Sequence, residues 1–399
     1  MTREVFIKLP KDVGLDGKLA KLVKPLYGLT DSGRRFFNTM RRIFLEDGYQ
    51  VLTGDSSTYY KREGGKLTGM IMSHVDDFNI GGTEKFVNET TALIQKHMKV
   101  SKIVDDGFRF CGVDVKLNEK KELVISMDDY AESLREINIK KGRDKQEDLD
   151  REELSEFRRV VGQISWLASN VRPDLAFHAV WMSKRIQKAK VEDLHYANKQ
   201  IQKAKLKENS VKYVYIGEPD KIVVYAYTDA AYRAGAGDVS CVGGQFALVG
   251  LKDSTVVNPA FWKTKSITRE TCQSAKDAET LSATMACDVG VSLACQLEEL
   301  YFGEDGQKIP VVIFSDHLGL LESIASTHEV DRRVMRQYVY NLKKQLTLGK
   351  VQSFVWTPTE FQLADVLTKE RVNGDMLEGI IAKNKCNQVK DRYNEVTWE

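Results

Sequence analysis

Apolar and polar positions along the chain change rhythm several times, and each change marks an element. After an irregular start the spacing predicts a helix around Asp31–Asp47, then a hairpin with arms Ser57–Lys61 and Leu67–His74 turned at Gly64 and Gly65. A helix near Thr83–His97 follows, then strands Phe108–Asn118 and Glu122–Ser126 joined by a turn at 118–121. Every residue of Lys140–Asp148 is charged, polar or glycine, which reads as a solvated connection. From Glu156 the residues Phe157, Val160, Val161, Ile164 and Leu167 recur at helical spacing. Arg172–Asp174 breaks that helix, a second begins, and the two form a separate, basic segment ending near Asn209.

A different rhythm begins at Lys221. Strands at Ile222–Asp229, Val242–Leu248 and Pro259–Lys263 precede a long helix, Ala275–Leu300, and a β-branched strand, Ile309–Asp316. Two helices, a fifth strand at Val351–Trp356 and a final helix complete the order β-β-β-α-β-α-β-α, with the paired helices counted as one layer. That order predicts a mixed sheet flanked by helices. The long helix has small residues on one side, Ala283, Ala286 and Gly290, suited to close approach to a sheet. Leu281, Met285, Val289, Leu293 and Leu297 on the other read as a core stripe.

Composition narrows the picture only a little. With 399 residues, 42% of them hydrophobic, the chain has room for two or three domains with ordinary cores. It contains no internal repeat or low-complexity tract and only 7 prolines, which argues against a solenoid or a long disordered tail. No apolar run reads as long enough to cross a bilayer, and Met1–Phe6 lacks a secretory apolar stretch, so the expectation is an intracellular protein with no membrane partner. The six cysteines form no C-x-x-C pair and have no histidine at a zinc-like interval; they read as buried, reduced thiols. A net charge of +2, from 59 basic and 57 acidic residues, leaves any affinity for nucleic acid to local patches.

The candidate chemistry lies in carboxylates. Asp76 and Asp77 sit where one strand ends and the next begins, and neighbouring aspartates repel unless a cation or a solvated loop tolerates them. In Tyr225-Ala-Tyr-Thr-Asp-Ala230 and in Val311-Val-Ile-Phe-Ser-Asp316 an apolar strand ends in an acid. Glu279 lies on the small-residue side of the intervening helix, and Asp365 follows the last strand. Four carboxylates converging from four elements would call for divalent cations, and hard oxygen donors suit magnesium or manganese. Taken singly, each acid reads rather as a turn former or a solvated charge; it is the four together that point to a metal site.

These residues, together with several other blocks, resemble the polyprotein of copia-type retrotransposons from the reverse transcriptase palm through the ribonuclease H domain. The resemblance spans almost the whole chain. It rests on Lys24-Pro-Leu-Tyr-Gly-Leu29 with Arg34, Phe36 and Phe37, on His74-Val-Asp-Asp77, on Phe110-Cys-Gly-Val-Asp-Val115, on Val161-Gly-Gln-Ile-Ser-Trp-Leu-Ala168, on Arg172-Pro-Asp-Leu-Ala176, and on the four acidic blocks. It implies an α/β (α+β) chain: a partial reverse transcriptase palm and helical thumb, followed by a ribonuclease H-like mixed-sheet domain. The implied bounds are fingers and palm at 1–140, thumb or connection at 141–215, ribonuclease H-like domain at 221–370 and a tail at 371–399. Asp229, Glu279, Asp316 and Asp365 would be its metal-binding acids, with Asp76 a palm metal ligand and Asp77 its support.

Some positions depart from the family pattern. Glu4–Pro10 resembles the segment just after the strand that carries the first palm aspartate, so the polymerase site is expected to be incomplete in this chain. His74 stands where the family has tyrosine, and Thr30-Asp31 where it has Lys-Gln, which would set Asp31 against a triphosphate with the wrong sign. His328-Glu329 matches, but the next histidine and aspartate of the pattern are Arg333 and Met335. Arg34, Arg35, Lys184, Arg185 and the lysines of Lys199–Lys207 are candidate phosphate contacts, each set against a solvated helix face. Gly112 and Gly28 look like backbone positions for turns or close approach. Trp262 and Trp356 read as core or rim aromatics.

The expected function is therefore that of a retrotransposon-derived RNA-directed DNA polymerase fragment with a metal-dependent ribonuclease H domain that cleaves RNA in RNA–DNA hybrids. A catalytically inactive remnant that binds a nucleic-acid duplex is the alternative. The resemblance implies a cytoplasmic or nuclear location, or a virus-like particle where the chain is part of an active element.

Overall fold

The computed structural model describes the chain apart from residues 1–3, 10–11, 13–17, 24–25, 27, 233–240, 268–271, 304–305, 329, 331, 371, 373, 388, 390–392 and 397–399. Pro10, Lys24, Pro25, Tyr27 and Glu329, named above, lie outside the described residues. Two units can be separated, Met1–Lys102 and Ile103–Glu399.

In the first unit β1 (Phe6–Lys8) and β2 (Leu19–Lys21) pair antiparallel. Helix α1 (Ser32–Glu46) buries Met40, Ile43 and Phe44. Strands β3 (Gln50–Leu52), β4 (Asp55–Glu63), β5 (Lys66–His74) and β6 (Asp77–Gly82) form an antiparallel meander in chain order. The predicted hairpin is thus present with longer arms. Helix α2 (Glu84–His97) starts at Thr83, whose hydroxyl accepts the Phe86 N–H. Phe44 anchors the core, its ring centroid 4.8 Å from that of Tyr59 and 5.3 Å from that of Tyr49.

The second unit opens with β7 (Phe108–Phe110), β8 (Val113–Leu117) and β9 (Leu123–Ser126). The sequence pattern predicts one strand over Phe108–Asn118; the chain instead folds back at Cys111 and Gly112. Both have positive φ, 49° and 82°, as a two-residue hairpin turn with the sheet's twist requires. After α3 (Asp128–Glu132) come α4 (Arg151–Asn170), α5 (Ala176–Arg185) and α6 (Val191–Leu206), so the segment read as two helices contains three. The chain leaves the helical path near Ala189, and α6 restarts where the Asp193 carboxylate accepts the Lys190 N–H at 2.8 Å. A strand, β10 (Ser210–Tyr213), then pairs with β9.

The large sheet is built from β11 (Ile222–Ala231), β12 (Cys241–Leu251) and β13 (Val257–Ile267), then α7 (Ala275–Tyr301), β14 (Val311–Ser315), α8 (Leu318–Ala325), α9 (Arg333–Thr347), β15 (Ser353–Trp356), α10 (Asp375–Lys383) and β16 (Tyr393–Val396). Its strand order is β13-β12-β11-β14-β15-β16. The first three strands are antiparallel, while β14 and β15 run parallel to β11. This is the mixed sheet that the sequence order predicts. The sixth strand, β16, was not anticipated; it pairs antiparallel with β15. One hydrophobic core runs from Phe157, Ile164, Leu167 and Leu175 of the helical segment to Tyr227, Phe246, Phe314, Leu363 and Leu367.

Helix α7 corrects two expectations, and the cysteines a third. Its small residues Ala278, Ala283, Ala286 and Gly290 are deeply buried; of the stripe read as core Leu281 is buried with them, whereas Met285, Val289, Leu293 and Leu297 are only half-buried. The reason is close approach: a Cβ at Gly290 would lie 2.7 Å from Val311 Cγ1, so only hydrogen fits, and the larger residues wrap the flanks. By length and composition α7 is also long and apolar enough to cross a membrane, contrary to the reading that no such run exists. Here it packs against β11 and β12 as a core helix. Finally, Cys241, Cys272, Cys287 and Cys386 are buried as the sequence predicts, but Cys111 and Cys295 are exposed.

Candidate metal centre

Register places the first two acids side by side. Tyr227 of β11 is paired with Phe314 of parallel β14, their rings stacked at 4.6 Å, and two residues further along each strand stand Asp229 and Asp316. Asp229 is 2% exposed and lies opposite Gly244 on β12. The Asp316 backbone is held by the Trp356 indole, which donates to its carbonyl at 3.1 Å, and its Oδ2 accepts the Thr359 hydroxyl at 3.0 Å. Trp356 is thus a half-buried structural aromatic, in keeping with its sequence reading.

Asp365 arrives on a 3-10 turn, Leu363–Leu367, every residue of which is buried. Gln362 fixes the start of the turn by donating to the Thr228 carbonyl at 3.0 Å. One carboxylate oxygen from each of Asp229, Asp316 and Asp365 then lies within 4.8 Å of the others. Among the described residues this is the one group of three or more such ligands, so Asp76 and Asp77 join none.

Glu279 is close to this cluster without belonging to it. Ser282, one turn further along α7, donates to the Asp229 carbonyl at 2.8 Å and accepts from Thr228 and Gln245, which fixes the helix against β11. Glu279 Oε1 accepts the Ala230 N–H at 3.1 Å, while Oε2 is buried and has no hydrogen-bond partner. The sequence reading put four acids at one point; the structure gathers three and holds the fourth on backbone beside them.

Burial and mutual repulsion both tell on the charge state. Burial first, and then the charges of Asp229 and Asp316, push the Glu279 carboxyl up to about 9. Burial and Asp229 push Asp365 to about 7 against the pull of Lys369. Asp229 is also raised, chiefly by burial, although Lys369 and Thr368 oppose the shift. A buried oxygen without a partner and acids held above their usual range are what a hard divalent cation would satisfy, and the donor set is all oxygen. The residues present therefore fit magnesium or manganese.

Sequence reasoning missed Lys369. Its Nζ lies 2.7 Å from Asp365 Oδ1 and 3.4 Å from Asp229 Oδ1, so an ammonium partly neutralises the cluster. Burial alone would depress its pKa, but Asp229 and Asp365 together raise it. The i,i+4 spacing from Asp365 was the available signal. Thr368, which donates to Asp229 Oδ2, offered none.

The remaining candidates are scattered. In the first unit Asp76 and Asp77 are exposed at the tip of the β5–β6 hairpin, with His74 paired opposite Asp77 and Val75 at φ 54°. Arg34 is exposed on α1, while Arg35 Nε binds Asp31 Oδ2 at 2.8 Å, so Asp31 has a local cation. In the second unit Arg185 is engaged by Asp193 and Glu192 and lies 4.7 Å above the Trp181 ring, which makes it a structural cation. Lys184 is half-buried beside it on α5. Gly112 forms the β7–β8 turn against Trp166. Arg333 is exposed, and Met335 is 2% exposed in the core against Cys272 and Leu281.

No family model matches the chain. Among curated proteins it is 22% identical over 410 residues to the Transposon Ty1-GR2 Gag-Pol polyprotein of Saccharomyces cerevisiae, an alignment covering 92% of this chain and 22% of that polyprotein. The Truncated transposon Ty1-A Gag-Pol polyprotein of the same organism is also 22% identical, over 92% of this chain and 32% of its own length. The chain thus spans about a fifth to a third of the curated relatives it matches. Among solved structures it is similar to RNase H1 from the archaeon Halobacterium salinarum, with 17% identity, TM-score 0.26, and 36% of this chain and 92% of that one covered. It is also similar to a foamy viral protease-reverse transcriptase in complex with dsDNA, with 11% identity, TM-score 0.24, and 89% and 64% covered. By sequence the chain is a homologue of the Ty1, copia-type retrotransposon Gag-Pol polyproteins.

Proposed function

We propose that the second unit is a divalent-metal-dependent ribonuclease that cleaves the RNA strand of an RNA–DNA hybrid, within a chain of retrotransposon Pol origin. The observation that carries this reading is the convergence of Asp229, Asp316 and Asp365 oxygens within 4.8 Å, beside the partnerless Oε2 of Glu279. Bound magnesium or manganese would supply an activated water and charge stabilisation for the leaving oxygen. The chain's own part is to hold these acids on two strand ends, a helix and a turn, so that they need no rearrangement when a cation enters. Lys369 is the group a cation must displace, because its ammonium already pairs with two of the acids. Similarity to Gag-Pol polyproteins supports that substrate class, in which RNA would be distinguished by its 2′-hydroxyl and the shape of the hybrid. Asp76 and Asp77 would be palm acids of the first unit, to which we assign no separate reaction.

The same Lys369 contacts favour one competing reading, a duplex-binding remnant in which the ammonium has replaced the metal. One experiment separates the two. The purified chain is incubated with end-labelled RNA–DNA hybrid and magnesium, alongside an Asp229→Asn/Asp316→Asn variant. Magnesium-dependent cleavage by the wild type alone supports the nuclease; equal cleavage by both, or salt-sensitive binding without turnover, rejects it.

A further inference from the structure

Asp365 stands on a turn rather than on a strand or helix, so contacts from other elements must hold it. Two residues of β13 do so from one face of the strand. Thr264 Oγ1 donates to the carbonyl of Leu367, the last residue of the turn, at 2.8 Å. Trp262, two positions earlier and therefore on the same face, donates through Nε1 to the carbonyl of Ala168 at 2.6 Å. That carbonyl is among the last four of α4, which lack a helical partner and are open to a side-chain donor. Further back on β13, beyond its bulge, Asn258 ties the chain downstream of α6: its side chain accepts the Val214 N–H at 2.9 Å and donates to the Val214 carbonyl at 2.8 Å.

The helical segment in turn fills the space beneath the Asp365 turn. The bend between α4 and α5 abuts it, and Leu175 of that bend shares one buried core with Leu363, Ala364, Val366 and Leu367. The bend is itself locked by buried polar contacts: Arg172 donates to both oxygens of Asp174 and to Asn209 Oδ1, and Lys203 reaches Asp174 from α6.

We propose that α4–α6 form a fixed seat for the Asp365 turn, with Trp262 and Thr264 as positioning residues that clasp helix and turn together. On this view the acidic centre is complete only with the helical segment docked, and the segment is not a thumb that swings independently of the nuclease. The proposal rests on the reading of the centre as a metal site, but its first readout does not.

The test uses the full chain carrying Thr264→Val, Trp262→Phe or both, with Thr264→Ser as the variant that retains the hydroxyl. Hydrogen exchange is followed at the amides of Asp365, Thr368 and Lys369, which are bonded within the turn. Binding of Mn²⁺ alone is titrated in parallel, and the magnesium dependence of hybrid cleavage is measured. The expected result is faster exchange confined to the turn, with α7 and β14 unchanged, and a roughly tenfold weaker Mn²⁺ affinity in the double variant. The magnesium activation midpoint should rise while the rate at saturating metal recovers, and Thr264→Ser should restore both. A merely destabilised fold would lower the amplitude and leave the midpoint in place, which counts against the proposal. Wild-type exchange and Mn²⁺ affinity in the double variant would overturn it. Should the wild type neither bind Mn²⁺ nor cleave, the nuclease reading fails, and turn-specific exchange alone decides whether the seat exists.

Discussion

Replacing Gly244 with alanine should disable the acidic centre through a single added carbon. Gly244 sits opposite Asp229 on β12, and a Cβ there would lie 2.7 Å from Leu367 Cβ, 2.8 Å from Thr368 Cγ2 and 3.1 Å from the Ala364 carbonyl oxygen. Carbon atoms pack best at about 3.5–4.0 Å, so the turn must retreat by roughly 1 Å. No rotamer change relieves the clash, because Leu367 Cβ and the Ala364 carbonyl are fixed by backbone. Overpacking of this kind costs about 1–3 kcal/mol. At roughly 2–4 °C per kcal/mol the melting temperature should fall by several degrees. Asp365 lies between the two clashing residues and moves with them, and a misplacement of about 1 Å costs on the order of a hundredfold in rate. The assays are thermal unfolding, Mn²⁺ titration and hybrid cleavage, with Gly243→Ala as comparison. At Gly243 the new carbon would meet the ends of side chains, Ser282 Oγ at 3.0 Å, Ile267 Cδ1 at 3.1 Å and Gln245 Nε2 at 3.3 Å, which can give way. A Gly244→Ala protein that melts with the wild type and binds Mn²⁺ equally well would show that the turn is not wedged against β12, and the reasoning would fail.

Other outcomes follow from single groups. Lys369→Met removes the ammonium that competes with a divalent ion, so Mn²⁺ should bind about tenfold more tightly, close to 1.4 kcal/mol; weaker binding in a calorimetric titration would contradict this role. His178 is buried on α5 with Nδ1 2.6 Å from the Tyr196 hydroxyl, and burial, then Lys203, push it down to about 4. Its folded pKa lies below the unfolded value near 6.5, so the unfolded chain takes up the proton first and stability falls as pH drops from about 6.5 to 4. The full loss is roughly 3 kcal/mol. Urea unfolding at both ends of that window should show His178→Gln losing less stability than the wild type, and parallel losses would argue against the burial effect. Gly112→Ala forces a side chain into φ 82° and brings its Cβ to 3.2 Å from Trp166 Cζ2, at a cost of about 1–2 kcal/mol in urea unfolding; an unchanged midpoint would mean the β7–β8 turn tolerates a left-handed alanine.

The sequence made the C-terminal sheet legible because its strands are apolar runs bounded by polar ends, and because register then fixes where Asp229 and Asp316 emerge. The small-residue face of α7 was readable in kind, since only alanine and glycine permit that approach, but its consequence was not. Once the helix lies against the strands, Leu293 and Leu297 leave the centre of the core for its rim. The fold-back at Cys111 and Gly112 escaped notice because periodicity cannot register a two-residue turn inside an alternating pattern, and the signal was a single glycine. Lys369 and Thr368 were missed for another reason: their importance depends on where a turn points, which tertiary packing alone decides. The same holds for Glu279, whose position on the helix was foreseen but whose bond to the Ala230 N–H was not.

The last strand, β16, has a bearing on solubility. A parallel strand such as β15 would otherwise present a row of unsatisfied amides and carbonyls to any passing chain, an invitation to intermolecular strand addition. By laying residues 393–396 along that rim, the polypeptide uses its own C-terminal stretch as a guard strip. Loss of those few residues is therefore expected to provoke self-association.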